Sequence, residues 1–278
     1  MDNFLDRILA CKREEVAAAR KKLPPLELIS RAMDTPKPRG FIKSLAGGPA
    51  PRIIAEIKRK SPSRGDIAPG LDAAEAARAY ERAGAAAISV LTDRANFGGS
   101  LADLAAARKA VSLPLLRKDF IVDPYQVWEA RLHGADAALL IVAALSDEAL
   151  KECMSAAKDA GLDALVEAHT EIELKRALSA RAKLIGLNSR DLRTFSVDRA
   201  LAMRLRPLIP ENRPVVVESG IKRRADIEEY MSVGYKIFLI GEAIAGAPDI
   251  GAALGELLGK SPARGGKKIG KAVIHATN

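Results

Sequence analysis

Two charged side chains interrupt the first strongly apolar run of the chain. Residues 52–58 read Arg-Ile-Ile-Ala-Glu-Ile-Lys, a pattern typical of a strand buried on both faces, yet Glu56 and Lys58 lie within it. Because side chains alternate along a strand, these two charges point to the same side. Buried ionisable groups are costly unless they are paired or serve a ligand. The pair is therefore either a structural ion pair at a strand end or part of an acid–base site.

The apolar run is the first of eight that predict strands, each followed by a helical pattern. The predicted strands are 52–58, 86–91, 114–118, 137–142, 162–167, 183–188, 214–218 and 236–241. Glycines suited to left-handed helix ends precede several of them: Gly84, Gly134, Gly161 and Gly234. Eight units in about 210 residues favour the α/β class and a closed (β/α)8 TIM barrel. The alternative is an open, doubly wound sheet, for which we would expect a G-x-G-x-x-G dinucleotide-binding turn. The sequence lacks this motif.

A barrel predicts that ligand-handling residues lie at the carboxyl ends of its strands. Polar residues do follow the predicted strands there, namely Glu56, Lys58, Lys118, Glu167, Asn188, Arg190, Glu218 and Glu242. Any one of them can be explained as a solvated charge at a strand end. Their coincidence on five or more strands instead predicts a single charged mouth.

The turns after the last two predicted strands each carry a glycine. Glu218-Ser219-Gly220-Ile221 and Ile240-Gly241-Glu242-Ala243 place Gly220 and Gly241 where backbone N–H groups can approach an anion. Paired turns at these strands form the phosphate site common in barrels, although ordinary tight turns are the alternative. Ser61 in the first loop offers a further hydroxyl donor.

Two of the few aromatic residues begin adjacent loops. Phe97 follows the second predicted strand and Phe120 the third, in a chain with only 4% aromatic residues. Each alone is more often a core residue, but together they predict a wall for a flat ring.

Charge and composition narrow the class of protein. The formal net charge is +9, but five basic residues without any acidic one follow Gly259, so the remainder carries only +4. The body is thus mildly basic, which suits anionic small molecules. The basic residues lack interleaved aromatics, so we expect no nucleic-acid partner.

The remaining composition predicts a cytoplasmic protein without a membrane partner. Cys11 and Cys153 are the only cysteines, which indicates reduced thiols, and the amino terminus lacks a signal-peptide core. The longest apolar run, 137–145, is too short to span a bilayer. The three histidines show no metal-ligand spacing, so we expect no metal and no cofactor.

The chain divides into three predicted regions. Residues 1–45 have helical spacing and form an N-terminal helical extension, with Pro24 and Pro25 ending its first helix. Residues 46–258 form the barrel, and residues 259–278 form a basic flexible tail. We expect a monomer, with a dimer as the alternative.

Seven blocks of sequence stand out in order along the chain. They are Ile54–Lys58 with Ser61–Ser63, Leu116–Phe120, Asp123–Gln126, Leu165–Glu167, Gly186–Arg190, Glu218–Ile221 and Gly241–Ala243. Together they resemble the indole-3-glycerol-phosphate synthase family, a barrel enzyme family of tryptophan biosynthesis. The resemblance covers residues from about 4 to 258.

The resemblance implies a reaction and a set of roles. The reaction is ring closure of 1-(2-carboxyphenylamino)-1-deoxyribulose 5-phosphate to indole-3-glycerol phosphate, with loss of carbon dioxide and water. Lys118 would be a general acid toward the ribulosyl carbonyl oxygen, and Glu167 would exchange protons in later steps. Glu56 and Lys58 would complete the charged mouth, Asn188 would orient these groups, and Arg190 would add positive charge.

The remaining carried-over residues would bind substrate. Phe97 and Phe120 would hold the anthranilate ring. The phosphate and the rest of the substrate would contact Ser61, Glu218, Ser219, Gly220, Leu239, Gly241 and, through its backbone N–H, Glu242. On physical grounds we also expect nearby cations and a dry pocket to lower the pKa of Lys118.

The nearest rival is another phosphate-binding barrel, such as phosphoribosylanthranilate isomerase. That enzyme would be expected to use a Cys/Asp pair, and neither Cys11 nor Cys153 lies at a predicted strand end.

Overall fold

Eight parallel strands close into a barrel in the computed structural model, which describes residues 4–260. Each barrel strand pairs with its neighbours in parallel, and β1 closes the barrel against β10. The fold class predicted from the sequence, a (β/α)8 barrel, is therefore confirmed. The strands are β1 (Arg52–Ile57), β2 (Lys60–Ser61), β3 (Gly65–Asp66), β4 (Ala87–Leu91), β5 (Leu115–Lys118), β6 (Ala137–Ile141), β7 (Asp163–Ala168), β8 (Leu184–Asn188), β9 (Val215–Glu218) and β10 (Ile237–Ile240).

Local sequence signals account for the positions of the barrel strands. Every observed strand end lies within one residue of its predicted position. The four predicted helix-ending glycines all have positive φ angles, between 72° and 100°, which an L side chain would resist. The barrel strands are buried almost throughout, as expected for a parallel sheet covered by helices.

Helices lie between the strands and also precede the first one. They are α1 (Phe4–Lys22), α2 (Pro25–Met33), α3 (Phe41–Ala46), α4 (Ala73–Ala83), α5 (Arg94–Phe97), α6 (Leu101–Ala110), α7 (Pro124–Leu132), α8 (Asp147–Asp159), α9 (Glu171–Ser179), α10 (Leu201–Leu205), α11 (Arg224–Ser232), α12 (Glu242–Ala245) and α13 (Ile250–Leu257). Short 3-10 turns cover Val142–Ala144 and Arg206–Leu208.

The helices before β1 contact both ends of the barrel. On α1, the Lys12 ammonium is buried and pairs with Asp93 at 2.9 Å and with Asp119 at 3.1 Å, in the loops that follow β4 and β5. On α3, Ser44 Oγ donates to the carbonyl of Ala86, just before β4. The N-terminal helical extension is thus tied to the loops at one end and to strand starts at the other.

Two structural features lie outside the sequence prediction. Helix α3 occupies residues that were assigned to no separate helix, and the antiparallel pair β2–β3 lies in the loop after β1. The predicted flexible tail lies outside the described residues from 261 onward, and the three-part division of the chain stays a prediction. Within residues 4–260, no helix is long and apolar enough to cross a membrane.

Candidate active site

One cavity of ≈ 800 Å³ opens at the carboxyl ends of the barrel strands. Its walls include side chains or turns from the loops after β1, β4, β5, β7, β8, β9 and β10. Every candidate site residue named from the sequence lies on it: Glu56, Lys58, Ser61, Phe97, Lys118, Phe120, Glu167, Asn188, Arg190, Glu218, Ser219, Gly220, Leu239, Gly241 and Glu242. The sequence therefore identified residues that the fold brings together from distant segments.

A lysine facing two carboxyl groups lies at the bottom of this cavity. Lys118 Nζ, at the end of β5, lies 3.4 Å from Glu167 Oε2 and 3.6 Å from Glu218 Oε2. Both glutamate side chains are 1% exposed. No amine, amide or hydroxyl group among residues 4–260 hydrogen-bonds either oxygen of Glu218. Proton-exchanging groups are thus concentrated where a bound molecule can reach them.

The charges around Lys118 reverse the pKa shift expected from the sequence. Burial acts to lower the pKa of the ammonium, as expected, but the carboxyl groups of Glu167, Glu218 and Glu56 outweigh it and raise the pKa above its ordinary value. The prediction of a lowered pKa was wrong because the charged groups that act on the Lys118 ammonium are carboxyl groups. Lys118 therefore carries its proton in the free protein.

The two buried carboxyl groups differ in which form the site favours. For Glu167, burial favours the neutral acid, but Lys118 and His169 outweigh burial and lower the pKa. For Glu218, burial and the negative charge of Glu167 together raise the pKa well above its usual range. The pair thus holds one negative charge, on Glu167, with Glu218 as the neutral carboxylic acid.

A second lysine and carboxylate form an ion pair beside β10. Lys58 Nζ lies 2.8 Å from Glu56 Oε1, and both side chains are nearly buried. Gly241 packs directly against this pair, since a Cβ there would lie 2.2 Å from Glu56 Oε1. Gly186 on β8 leaves similar room for Glu218, where a Cβ would lie 2.2 Å from Oε1. Both glycines are needed because carboxyl groups occupy the space of their missing side chains.

The two glycine turns lie on the same rim as these charges. Ser219 and Gly220 are consecutive residues with φ angles of 65° and 75°, so the chain turns sharply at the end of β9 and both residues line the cavity. Gly241 immediately precedes α12, and Ser61 is buried in the loop after β1. The arrangement presents backbone and hydroxyl groups to one side of the cavity.

Glu242, in the turn after β10, forms ion pairs with two arginines. The Glu242 carboxylate accepts from Arg64 at 2.9 Å and from Arg190 at 3.1 Å. Asn188 Oδ1 in turn accepts from the backbone N–H of Arg190 at 3.0 Å. Ion pairs therefore connect the loops after β1, β8 and β10 at the opening of the cavity.

Aromatic and aliphatic side chains also line the cavity. The rings of Phe97 and Phe120 have centroids 6.2 Å apart and are tilted by 37°. Leu239 and Ile141 add apolar surface to the same cavity. A planar ring can lie against this wall while polar groups face the charged side.

Sequence reasoning missed several residues on or beside the cavity. Arg64, Phe195 and Lys222 line it, and no local pattern distinguishes them from other loop residues. His169 contacts Glu167, and the sequence spacing could have predicted this contact. His169 lies two residues beyond Glu167, so the two side chains point the same way along an extended chain. The predicted strand ended at residue 167, which hid this relation. In the described range, no group of three or more His, Cys, Asp or Glu side chains is arranged to hold a metal ion.

Comparisons with known proteins agree on a family. The sequence model of the indole-3-glycerol phosphate synthase family matches residues 5–257. A relative from Dehalococcoides mccartyi named indole-3-glycerol phosphate synthase is 47% identical over 258 residues, covering 92% of this chain and 100% of the relative. Another of that name from Mycolicibacterium gilvum is 47% identical over 254 residues, covering 91% of this chain and 93% of the relative.

Solved structures share the architecture at much lower identity. A 3-hexulose-6-phosphate synthase from Salmonella typhimurium has a TM-score of 0.59 at 14% identity, covering 75% of this chain and 97% of the other. That likeness concerns the barrel alone. The match along nearly the whole sequence is the stronger finding, and it shows that this chain belongs to the indole-3-glycerol phosphate synthase family.

Proposed function

We propose that this protein catalyses the reaction of its family, the closure of 1-(2-carboxyphenylamino)-1-deoxyribulose 5-phosphate to indole-3-glycerol phosphate. Carbon dioxide and water leave, so the protein is a decarboxylating carbon–carbon lyase of tryptophan biosynthesis. The observation that carries the proposal is the single cavity in which Lys118 faces Glu167, with two glycine turns on the same rim. A cytoplasmic location stays a prediction.

The phosphate end of the substrate fixes its orientation. The backbone around Ser219 and Gly220, together with the turn at Gly241 and Glu242, receives the phosphate, and Ser61 adds a hydroxyl. Because Glu242 is already paired with Arg64 and Arg190, its carboxylate does not present a free negative charge to the phosphate.

The aromatic end lies against the apolar wall. Phe97 and Phe120 hold the anthranilate ring, which places its carboxylate toward Lys58. Lys58 either steers this carboxylate or serves as a second acid, and Glu56 fixes its ammonium at 2.8 Å. Holding both ends of the substrate brings the ring carbon close to the ribulosyl carbonyl, which lowers the entropic part of the barrier.

Lys118 begins the chemistry as a general acid. Its raised pKa keeps the ammonium protonated, so it donates a proton to the ribulosyl carbonyl oxygen as the ring carbon attacks. Loss of carbon dioxide then restores the aromatic ring. The carboxyl groups of Glu167, Glu218 and Glu56 stabilise the ammonium before this step.

Glu167 acts in the proton exchanges that follow, including dehydration. Its carboxylate lies beside Lys118 and is held in the ionised form, which suits a base. Asn188 and Arg190 orient the groups at the mouth, and Arg190 adds positive charge for an anionic substrate. No step in this account requires an oxidant or reductant.

Incubation of the purified full chain with the carboxyphenylamino substrate tests this proposal. We expect indole fluorescence to appear with equimolar release of carbon dioxide. A parallel incubation with phosphoribosylanthranilate tests the isomerase alternative and should give no product. Absence of indole-3-glycerol phosphate with a folded protein, or isomerisation in the second incubation, would contradict the proposed function.

A further inference from the structure

His169 contacts the catalytic carboxylate from the side opposite Lys118. Its Nε2 lies 3.3 Å from Glu167 Oε1, while the other oxygen of Glu167 faces Lys118 Nζ at 3.4 Å. The carboxylate of Glu167 is therefore held between two cationic groups, one at each oxygen. Only Lys118 of these two lies on the wall of the cavity.

A second carboxylate holds the outer side of the imidazole. His169 Nδ1 lies 3.3 Å from Glu173 Oε2, and the same oxygen accepts from the His169 backbone N–H at 2.7 Å. Glu173 belongs to the first turn of α9, where its own N–H donates to Thr170 Oγ1. The imidazole is thus fixed between a helix and the strand end that carries Glu167.

A carboxylate oxygen lies 3.3 Å from each ring nitrogen, and this negative charge on both sides favours the form in which both nitrogens carry protons. Burial alone would lower the pKa of His169, but Glu167 and Glu173 outweigh it and raise the pKa to about 10. The side chain is 7% exposed, so solvent screens these interactions little. His169 is therefore an imidazolium throughout the neutral range.

We propose that His169 is a positioning residue, whose imidazolium keeps Glu167 ionised and aims its second oxygen at Lys118. This inference rests on the proposed function, because its effect is measured through turnover. His169 does not reach the substrate, so it acts only through Glu167.

Other charged groups near His169 and Glu167 also influence the pKa values of these two side chains. On the cavity side, Glu167 faces Lys118 from β5 and Glu218 from β9, while Glu56 from β1 acts on Lys118. On the outer side, the loop after β8 brings Asp191 into electrostatic range of His169. None of these groups replaces the cation at Glu167 Oε1, so removing His169 leaves that oxygen without its positive neighbour.

The test is the pH dependence of kcat in His169→Gln, with His133→Gln as the matched control. His133 lies at the end of α7, where its Nδ1 contacts the carbonyl of Glu129. Without the imidazolium, the pKa of Glu167 rises, so the carboxylate is lost at higher pH on acidification. We expect the acidic limb of the kcat profile to move up by about one pH unit or more.

The size of the rate effect separates positioning from substrate binding. We expect kcat to fall about tenfold at neutral pH while KM changes less than about twofold, and His133→Gln to match the wild type. In a Glu167→Gln background, His169→Gln should cost no further rate, because the group it positions is gone. Full additivity of the two losses, or an unmoved acidic limb, would overturn the inference.

A second variant decides the matter if His169→Gln does not fold. Glu173→Gln keeps an oxygen acceptor for the backbone of residue 169 but removes the outer negative charge. Because Glu173 helps to raise the pKa of His169, we expect this variant to lose the imidazolium at lower pH, which moves the basic limb of the kcat profile down, and an unchanged profile would overturn the inference. Wild-type turnover in the same assay separates this failure from failure of the proposed function.

Discussion

Two fully buried carboxyl groups at opposite ends of the barrel have contrasting surroundings. Asp136, just before β6, accepts from the backbone N–H of Arg39 at 2.6 Å, from that of Leu115 at 2.7 Å and from Arg108 Nη1 at 2.9 Å. Glu218, at the end of β9, accepts no amine, amide or hydroxyl hydrogen bond from the described residues, and its nearest cation lies 3.6 Å away. Both are at most 1% exposed.

The contrast separates what holds the fold from what performs chemistry. A buried carboxylate surrounded by donors is stabilised where it is and has no capacity for a ligand. A buried carboxyl group without donors has a cost that the rest of the fold must offset, and such sites cluster where function needs them. In a barrel, this division follows the strand direction, with stability at the amino ends and chemistry at the carboxyl ends.

The largest predicted effect on stability concerns the amino end of the barrel. Asp136→Asn should lower the free energy of unfolding by about 3 kcal/mol, because the amide cannot accept from every donor and leaves the Arg108 charge without its partner. Turnover per folded molecule should stay near the wild-type value. Urea unfolding followed by circular dichroism measures the first quantity and the indole assay the second. If the free energy of unfolding of Asp136→Asn equals that of the wild type within error, the proposed contrast between Asp136 and Glu218 is wrong.

A slightly smaller effect is expected at the glycine packed against the Lys58–Glu56 pair. Gly241→Ala would place a Cβ against Glu56 Oε1 and displace the ion pair, so kcat/KM should fall about 10²-fold. Gly255→Ala is the matched control, since nothing lies within 4 Å of a Cβ built on Gly255 of α13. Equal kcat/KM for both variants would show that the packing of residue 241 against Glu56 does not affect catalysis.

Glu218→Gln should show the reverse of Asp136→Asn. We expect turnover to fall about tenfold, with the free energy of unfolding changed by less than about 1 kcal/mol near pH 5. The folded-state pKa of Glu218 is raised, so its stabilising contribution is complete below its unfolded pKa and is lost as pH increases. The variant should therefore gain stability relative to the wild type as pH rises from about 5 to 8. A constant difference in urea midpoint across this range would refute the neutral carboxyl.

The smallest effect is predicted for the basic C-terminal segment. A chain ending at Lys260 keeps all residues matched to the family, which end at residue 257, and loses Arg264, Lys267, Lys268 and Lys271. We expect kcat/KM to change less than about twofold, from weaker electrostatic attraction of the anionic substrate at low salt. A loss above about tenfold that persists at high salt would indicate that this segment contributes to the site.

Sequence reasoning reached the barrel and the lining of its cavity because both depend on local patterns. Apolar runs mark strands, and period-two alternation beside a strand end shows that Glu56 and Lys58 point the same way. The parallel arrangement then gathers all strand ends on one rim. The candidate site residues could therefore be named, although their roles stay proposals.

The features that sequence reasoning missed depend on distances between strands. The pKa shift of Lys118 is set by Glu167 and Glu218, which lie on β7 and β9, and no spacing along the chain gives their separation from β5. The joint contacts of Glu242 with Arg64 and Arg190 likewise bring together three loops. The sign of a pKa shift depends on whether the nearest charged neighbours are acids or bases. The expectation of nearby cations therefore predicted the wrong direction for Lys118.

The most direct test of the account is the turnover of Lys118→Ala, with Lys158→Ala on the exposed face of α8 as control. If Lys118 is the general acid, indole-3-glycerol phosphate formation should fall by about 10³-fold or more while inorganic phosphate still binds and the fold is kept. Lys158→Ala should match the wild type. Wild-type turnover by Lys118→Ala would contradict the central claim that the ammonium facing Glu167 starts the reaction.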